Sequence, residues 1–187
     1  MRTKKEIRQT VRKARDAMMP QEIAKESACI CKRIMESDVF ERSEKCMLYY
    51  PLGSEASVLP LADRCFAVGK RVAFPRVIKD TMEFVEVTDM SGFSEGYFHV
   101  MEPIGTNRIE WEDALVITPG VAFDRNGGRI GYGKGFYDRY FAEREGLIRM
   151  GVSLLPQMVE DVTADAYDKR MHYVVTPDEF IHIREDI

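Results

Sequence analysis

Apolar positions in the first segment, about Thr3 to Met18, recur at helical spacing, with Ile7, Val11, Ala14 and Met18 on one face. Pro20, a favoured first-turn residue, opens a second predicted helix to about Glu36 with Ile23, Ile30 and Ile34 inward. The period then changes. Cys46-Met-Leu-Tyr-Tyr50 is a short apolar run closed by Pro51-Leu-Gly-Ser-Glu, a buried strand entering a turn. Residues 57–68 read as helix, Arg71–Pro75 and Glu83–Val87 as strands, and 89–110 as irregular. Ala114-Leu-Val-Ile-Thr118 is the most continuous apolar run and predicts a central strand. A glycine-rich loop, a helix from about Gly135, and strands at Arg149–Leu154 and Tyr173–Thr176 follow. Strands alternating with helices predict an α/β fold: an open, mostly parallel sheet flanked by helices. In such sheets ligands bind beyond the carboxyl ends of the strands, where the loops after Tyr50 and Thr118 must lie.

A length of 187 residues fits one domain, 1–187, with 1–18 as its N-terminal helix. The net charge of −4 argues against a general nucleic-acid binder. The mean hides a gradient: residues 1–15 hold seven basic residues and one acid, so they carry +6 and the rest carries −10. No apolar run approaches the roughly 18 residues that span a membrane, and the charged N-terminus does not resemble a secretory signal. Cys29, Cys31, Cys46 and Cys65 form no C-x-x-C pair, which predicts free thiols in a reducing, cytoplasmic setting. His99, His172 and His182 do not combine with them at zinc spacing.

The segment Pro119 to Tyr140 carries the chemistry. Six of the thirteen glycines lie between Gly120 and Gly135, and Gly131, Gly133 and Gly135 alternate with Tyr132 and Lys134. Without Cβ atoms, successive backbone N–H groups can close on an anion, and a following helix adds its positive end. Arg129 and Lys134 supply full charges, so the physical reading is a phosphate site. Gly128 to Lys134 formally fits G-x-x-x-x-G-K, but Gly135 stands where a P-loop needs Ser or Thr, so a Walker-type NTPase is rejected.

The run Pro119 to Tyr140 resembles the signature of the 5-formyltetrahydrofolate cyclo-ligase family, also called methenyltetrahydrofolate synthetases. Lys4-Lys-Glu-Ile-Arg8, Tyr50-Pro-Leu-Gly-Ser-Glu55, Pro75, Met82-Glu-Phe84, Met101-Glu-Pro103, Gln157 and Asp168 to Thr176 match in the family's order, over nearly the whole chain. The resemblance implies a three-layer, Rossmann-like enzyme. It would convert ATP and 5-formyltetrahydrofolate into 5,10-methenyltetrahydrofolate, ADP and phosphate through a phosphorylated formyl (iminium phosphate) intermediate. Magnesium would be the cofactor and small molecules the partners, in a monomer or a homodimer.

Site roles follow from the resemblance. Lys4, Lys5 and Arg8 match its N-terminal ATP-binding positions. Arg129, Ile130, Gly131, Tyr132, Gly133, Lys134, Gly135, Phe136 and Tyr137 match its nucleotide loop, with Lys134 and Arg129 catalytic. Tyr50, Glu55 and Met82, with Tyr132 to Phe136, match folate contacts. Asp138 and Asp168 match its Mg²⁺ positions. The residues alone read more plainly: a basic helix as a solvated face, Glu55 as a turn residue, Asp168 as one of several surface acids, Met82 as core. The tail departs from the family, with Tyr167-Asp168 in place of His-Asp and His172 in place of a later acid. Two other readings stay open at this level, a small-molecule kinase and a regulatory folate binder without turnover; the cations and candidate metal carboxylates beside the glycine loop weigh against a third, a non-catalytic nucleotide- or anion-binding module.

Overall fold

The computed structural model describes residues 2–163, 165 and 167–183. In chain order the elements are α1 (Lys4–Asp16), α2 (Pro20–Met35), α3 (Asp38–Arg42), β1 (Lys45–Met47), α4 (Leu59–Ala67), β2 (Arg71–Ile78) and β3 (Thr81–Val87). Next come β4 (Phe93–Glu95), β5 (Met101–Pro103), β6 (Arg108–Ile109), β7 (Leu115–Thr118), β8 (Ala122–Phe123) and β9 (Arg129–Ile130). The last are α5 (Phe136–Ala142), β10 (Ile148–Val152), β11 (Tyr173–Val175) and β12 (Phe180–His182).

Eight strands form the main sheet in the order β12-β11-β10-β7-β1-β2-β3-β6. The five from β11 to β2 run parallel, and β12, β3 and β6 add antiparallel edges. This is the predicted open, mostly parallel sheet, and β7 is central and wholly buried as its apolar run requires. Successive side chains of a strand point to opposite faces. Accordingly Leu115 and Ile117 join a core with Ile30, Ile34, Leu61 and Phe74 from α2, α4 and β2. Val116 joins a second core on the other face, with Met47, Phe84, Phe123 and Phe141. Apolar burial on both faces makes three layers.

The chain leaves β1 towards β2 on one side and later returns as β7 on the other. That reversal is a topological switch point, and the loops after β1 and β7 open beside each other there.

Several expectations change. The segment 89–110, read as irregular, contains the β4–β5 hairpin and the edge strand β6. These runs are two or three residues long, too short for an alternating pattern to register. The glycine-rich connection holds a β8–β9 hairpin, and α3 and β12 were not anticipated. Helix α1 stops at Asp16, and its inward face is Ile7, Val11 and Arg15. Ala14, expected inside, is exposed. Steps of four residues track one stripe of the helix, and Arg15 rather than Ala14 continues it.

Candidate active site

The N-terminal helix is fixed to the rest of the molecule at both ends. A reciprocal capping box starts α1: Thr3 Oγ1 accepts from the Glu6 N–H, and the Glu6 carboxylate accepts from the Thr3 N–H at 2.7 Å. Ile7 and Val11 then pack on Val121, Ala122, Ile130 and Val162, which docks the helix against the β8–β9 hairpin. The basic residues on its flank therefore face the glycine loop, so this is not simply a solvated helix. Arg8 Nε donates to the Gly131 carbonyl at 2.8 Å. Lys4 Nζ donates to Asp165 at 2.6 Å and to Asp168. Burial pulls the Lys4 ammonium down, but these carboxylates outweigh it and hold it above the ordinary lysine value.

The β8–β9 hairpin is built around a buried carboxylate. Asp124 Oδ1 accepts from the N–H groups of Asn126 and Gly128, both at 2.8 Å, and Oδ2 accepts from the Val162 N–H at 2.7 Å. A Cβ on Gly128 would stand 2.5 Å from the Asp124 carboxylate, so this close approach requires glycine. Gln157, also buried, donates to the Gly120 and Val121 carbonyls and holds the loop's entry. Beyond β9 the backbone turns left-handed at Gly133, with φ +100°, a region that excludes ordinary side chains. Helix α5 begins at Phe136 and has only seven residues, so it adds less positive end than a long helix would.

Loop and helix enclose a cavity of ≈ 260 Å³, lined by Lys4, Arg8, Pro119, Arg129 to Asp138, Asp165 and Asp168. The size suits a polyphosphate better than a whole nucleotide with a folate. Four cations and three carboxylates converge on it. The Arg129 side chain is 3% exposed, and its guanidinium pairs with Asp138 and lies 5.6 Å from the Tyr137 ring centre. Arg129 Nε and the Tyr137 hydroxyl are buried and meet no hydrogen-bond partner among the described residues. Burial lifts the Tyr137 hydroxyl above the ordinary tyrosine range, so it stays a donor at neutral pH. Lys134 is exposed at the rim, and Arg139 Nη1 donates to its carbonyl at 2.7 Å.

A second polar group sits behind Tyr132. The Tyr132 ring lines the cavity, and its hydroxyl donates to Glu55 Oε1. Glu55 is 8% exposed, and its Oε2 accepts from the Leu52 N–H at 2.8 Å. Burial lifts the Glu55 carboxyl above its ordinary range, against the pull of Tyr132, the Leu52 N–H and Arg15.

Most of the residues predicted from sequence come together. Lys4, Arg8, Arg129 to Tyr137, Asp138 and Asp168 line one cavity, and Glu55 joins through Tyr132. Lys5 is exposed and does not line it. Tyr50 is half-buried, with its ring 5.5 Å from Phe93. Met82 packs on the second core and lines a neighbouring cavity of ≈ 280 Å³ that shares Phe136. Sequence reasoning missed Arg15 and Asp165. Arg15 had a signal, four residues after Val11 on the inward stripe; Asp165 had none beyond its spacing from Asp168.

Magnesium uses one or two carboxylates with phosphate oxygens and water. Asp138 and Asp168 are hard oxygen donors on the same cavity, so the set fits that ion once phosphate supplies the other ligands. Among the described residues no group of three or more His, Cys, Asp or Glu side chains is placed to hold a metal unaided. The four cysteines are free thiols, and only Cys29 is exposed. No helix among the described residues is long and apolar enough to cross a membrane.

A family model described as the 5-formyltetrahydrofolate cyclo-ligase family matches residues 1–177. A Schizosaccharomyces pombe protein named probable 5-formyltetrahydrofolate cyclo-ligase is 29% identical over 178 residues, covering 85% of this chain and 87% of its own. The Escherichia coli 5-formyltetrahydrofolate cyclo-ligase is 25% identical over 179 residues, covering 89% and 96%. The NMR structure of Aquifex aeolicus 5,10-methenyltetrahydrofolate synthetase superposes with a TM-score of 0.87 at 29% identity, covering 98% of this chain and 94% of that one.

Proposed function

The chain belongs to the 5-formyltetrahydrofolate cyclo-ligase family, and we propose that it closes 5-formyltetrahydrofolate to 5,10-methenyltetrahydrofolate while ATP becomes ADP and phosphate. The observation that carries this reading is the single cavity on which Lys4, Arg8, Arg129 and Lys134 converge with Asp138 and Asp168, beside the Tyr132–Glu55 pair. A formamide oxygen is a poor leaving group. Transfer of the γ-phosphoryl group onto it breaks the β–γ bridge, releases ADP and leaves an iminium phosphate. Nitrogen 10 of the folate attacks the activated carbon, loses its proton, and the ring closes as phosphate leaves with the former formyl oxygen.

The chain's part in this is positioning and charge neutralisation. Lys4 and Arg8 hold the polyphosphate from the α1 side. Gly131 to Gly135 let the backbone approach it. Lys134 neutralises the group in transfer from the rim, and Arg129, locked by Asp138, does so from beneath. The unpartnered Tyr137 hydroxyl is a further donor to a ligand oxygen. Asp138 and Asp168 would hold Mg²⁺, which supplies charge neutralisation across the phosphates when bound. Glu55 accepts hydrogen bonds from the pterin's N–H groups. Met82 and Tyr50 do not line this cavity; as folate contacts they would meet the apolar part of the folate.

Purified protein given ATP, Mg²⁺ and 5-formyltetrahydrofolate should develop the methenyl absorption band, with one ADP formed per methenyl product. A band no faster than the enzyme-free control overturns the proposal. ADP formed on another acceptor without the band would point to a kinase.

A further inference from the structure

The inward stripe of α1 contains a residue that apolar packing does not explain. Arg15 follows Ile7 and Val11 on this stripe and is only 4% exposed. A buried guanidinium is costly unless its donors are met. Here two of them are met by residues beside the proposed folate pocket: Nε donates to Ser54 Oγ at 2.9 Å, and Nη1 donates to the Tyr132 hydroxyl at 3.0 Å. The guanidinium carbon also lies 5.9 Å from the Tyr132 ring centre. Tyr132 in turn donates its own proton to Glu55. The result is a directed chain, from guanidinium N–H to phenol oxygen and from phenol O–H to carboxylate, in which each bond polarises the next.

We propose that Arg15 is a positioning residue for the folate end of the site, aiming the Tyr132 hydroxyl and, through it, the Glu55 carboxylate. The inference rests on the folate reading of Glu55 given above. Arg15 fixes the Tyr132 phenol by one donor and the loop carrying Glu55 by the other, so three segments of chain keep one geometry. A carboxylate offers about four acceptor sites, and Tyr132 and the Leu52 N–H use two, which leaves capacity for ligand donors. Arg15 also supports the anionic form of this buried carboxylate.

The titratable groups around Glu55 are few. Helix α1 contributes Arg15 and Asp16, the latter 3.9 Å from Arg15 and hydrogen-bonded by Ser54. The segment after β1 contributes Tyr49, the glycine loop Tyr132, and α5 Tyr137. Burial holds all three tyrosines neutral through the physiological range, so among these groups Arg15 is the charge that supports the Glu55 anion there.

The test is direct binding of 5-formyltetrahydrofolate, measured by calorimetry from about pH 5 to 8, for the wild type, Arg15→Met and Arg15→Lys. ATP binding is measured alongside. Arg15→Met should weaken folate binding about tenfold or more, the loss expected for a hydrogen bond to a charged group. It should also move the acid limb of binding to higher pH, because Glu55 without its cation takes up a proton sooner. Arg15→Lys keeps the charge but not the fork, so it should hold the acid limb in place and weaken folate binding about threefold. ATP affinity should stay within about twofold in both, since the polyphosphate is held by other residues. A merely structural arginine would not shift the acid limb. Equal folate binding by the wild type and either folded variant, or an equal loss of ATP affinity, overturns the role of Arg15 alone. Folate that fails to bind the wild type overturns the folate reading and Arg15's role with it.

Discussion

Arg129 Nη2 lies 3.0 Å from each carboxylate oxygen of Asp138, so one guanidinium nitrogen bridges both. The pair ties β9 to the first turn of α5 and fixes the floor of the cavity. The same carboxylate is a proposed Mg²⁺ ligand, so structure and metal binding share one side chain. Asp138→Asn keeps the shape but leaves Arg129, with its side chain 3% exposed, as an uncompensated buried charge. We expect a loss of about 3 kcal/mol in unfolding free energy by denaturant titration. The Mg²⁺ concentration for half-maximal activity should rise as well. An unchanged metal titration would remove Asp138 from the metal set.

Lys134 gives the opposite combination. It is exposed at the rim of the loop, and its proposed work is on the phosphoryl group in transfer. Lys134→Ala should lower kcat about a hundredfold or more. Its unfolding free energy should stay within about 0.5 kcal/mol of the wild type. Near-wild-type turnover would refute the role.

Burial of Glu55 makes stability depend on pH in a defined direction. Its carboxyl is raised in the folded protein above its unfolded value, chiefly by burial. The contribution to stability is therefore greatest below the ordinary carboxylate range and is lost as pH rises through the folded value. Glu55→Gln removes that loss. The stability of the variant relative to the wild type should climb as pH rises from the ordinary carboxylate range through the folded value of Glu55. The folate affinity of the variant relative to the wild type should fall over the same range. A stability difference that stays flat with pH would show that Glu55 is not held as a strained anion.

The long periodic elements were legible in sequence for physical reasons. The continuous apolar run Ala114 to Thr118 predicted a central strand, and β7 is that strand, buried on both faces. The alternation of glycine with Tyr132 and Lys134 marked the loop, and that loop lines the cavity. What sequence could not supply was contact between distant segments. Lys4 meets Asp165 and Asp168 across more than 160 residues, which no local pattern encodes. Arg15 looked like one more surface charge, although its spacing from Val11 placed it inward. The hairpins β4–β5 and β8–β9 rest on strands of two or three residues, too short to show periodicity, and the second is held by the Asp124 carboxylate.

The central claim is that the formyl oxygen is phosphorylated by ATP and leaves as phosphate. It is tested most directly with 5-formyltetrahydrofolate carrying heavy oxygen in its formyl group. The substrate is turned over with ATP and Mg²⁺, and the released phosphate is analysed by mass spectrometry. One heavy oxygen should appear in each phosphate formed, in step with the methenyl product. Methenyl product accompanied by unlabelled phosphate would contradict the account.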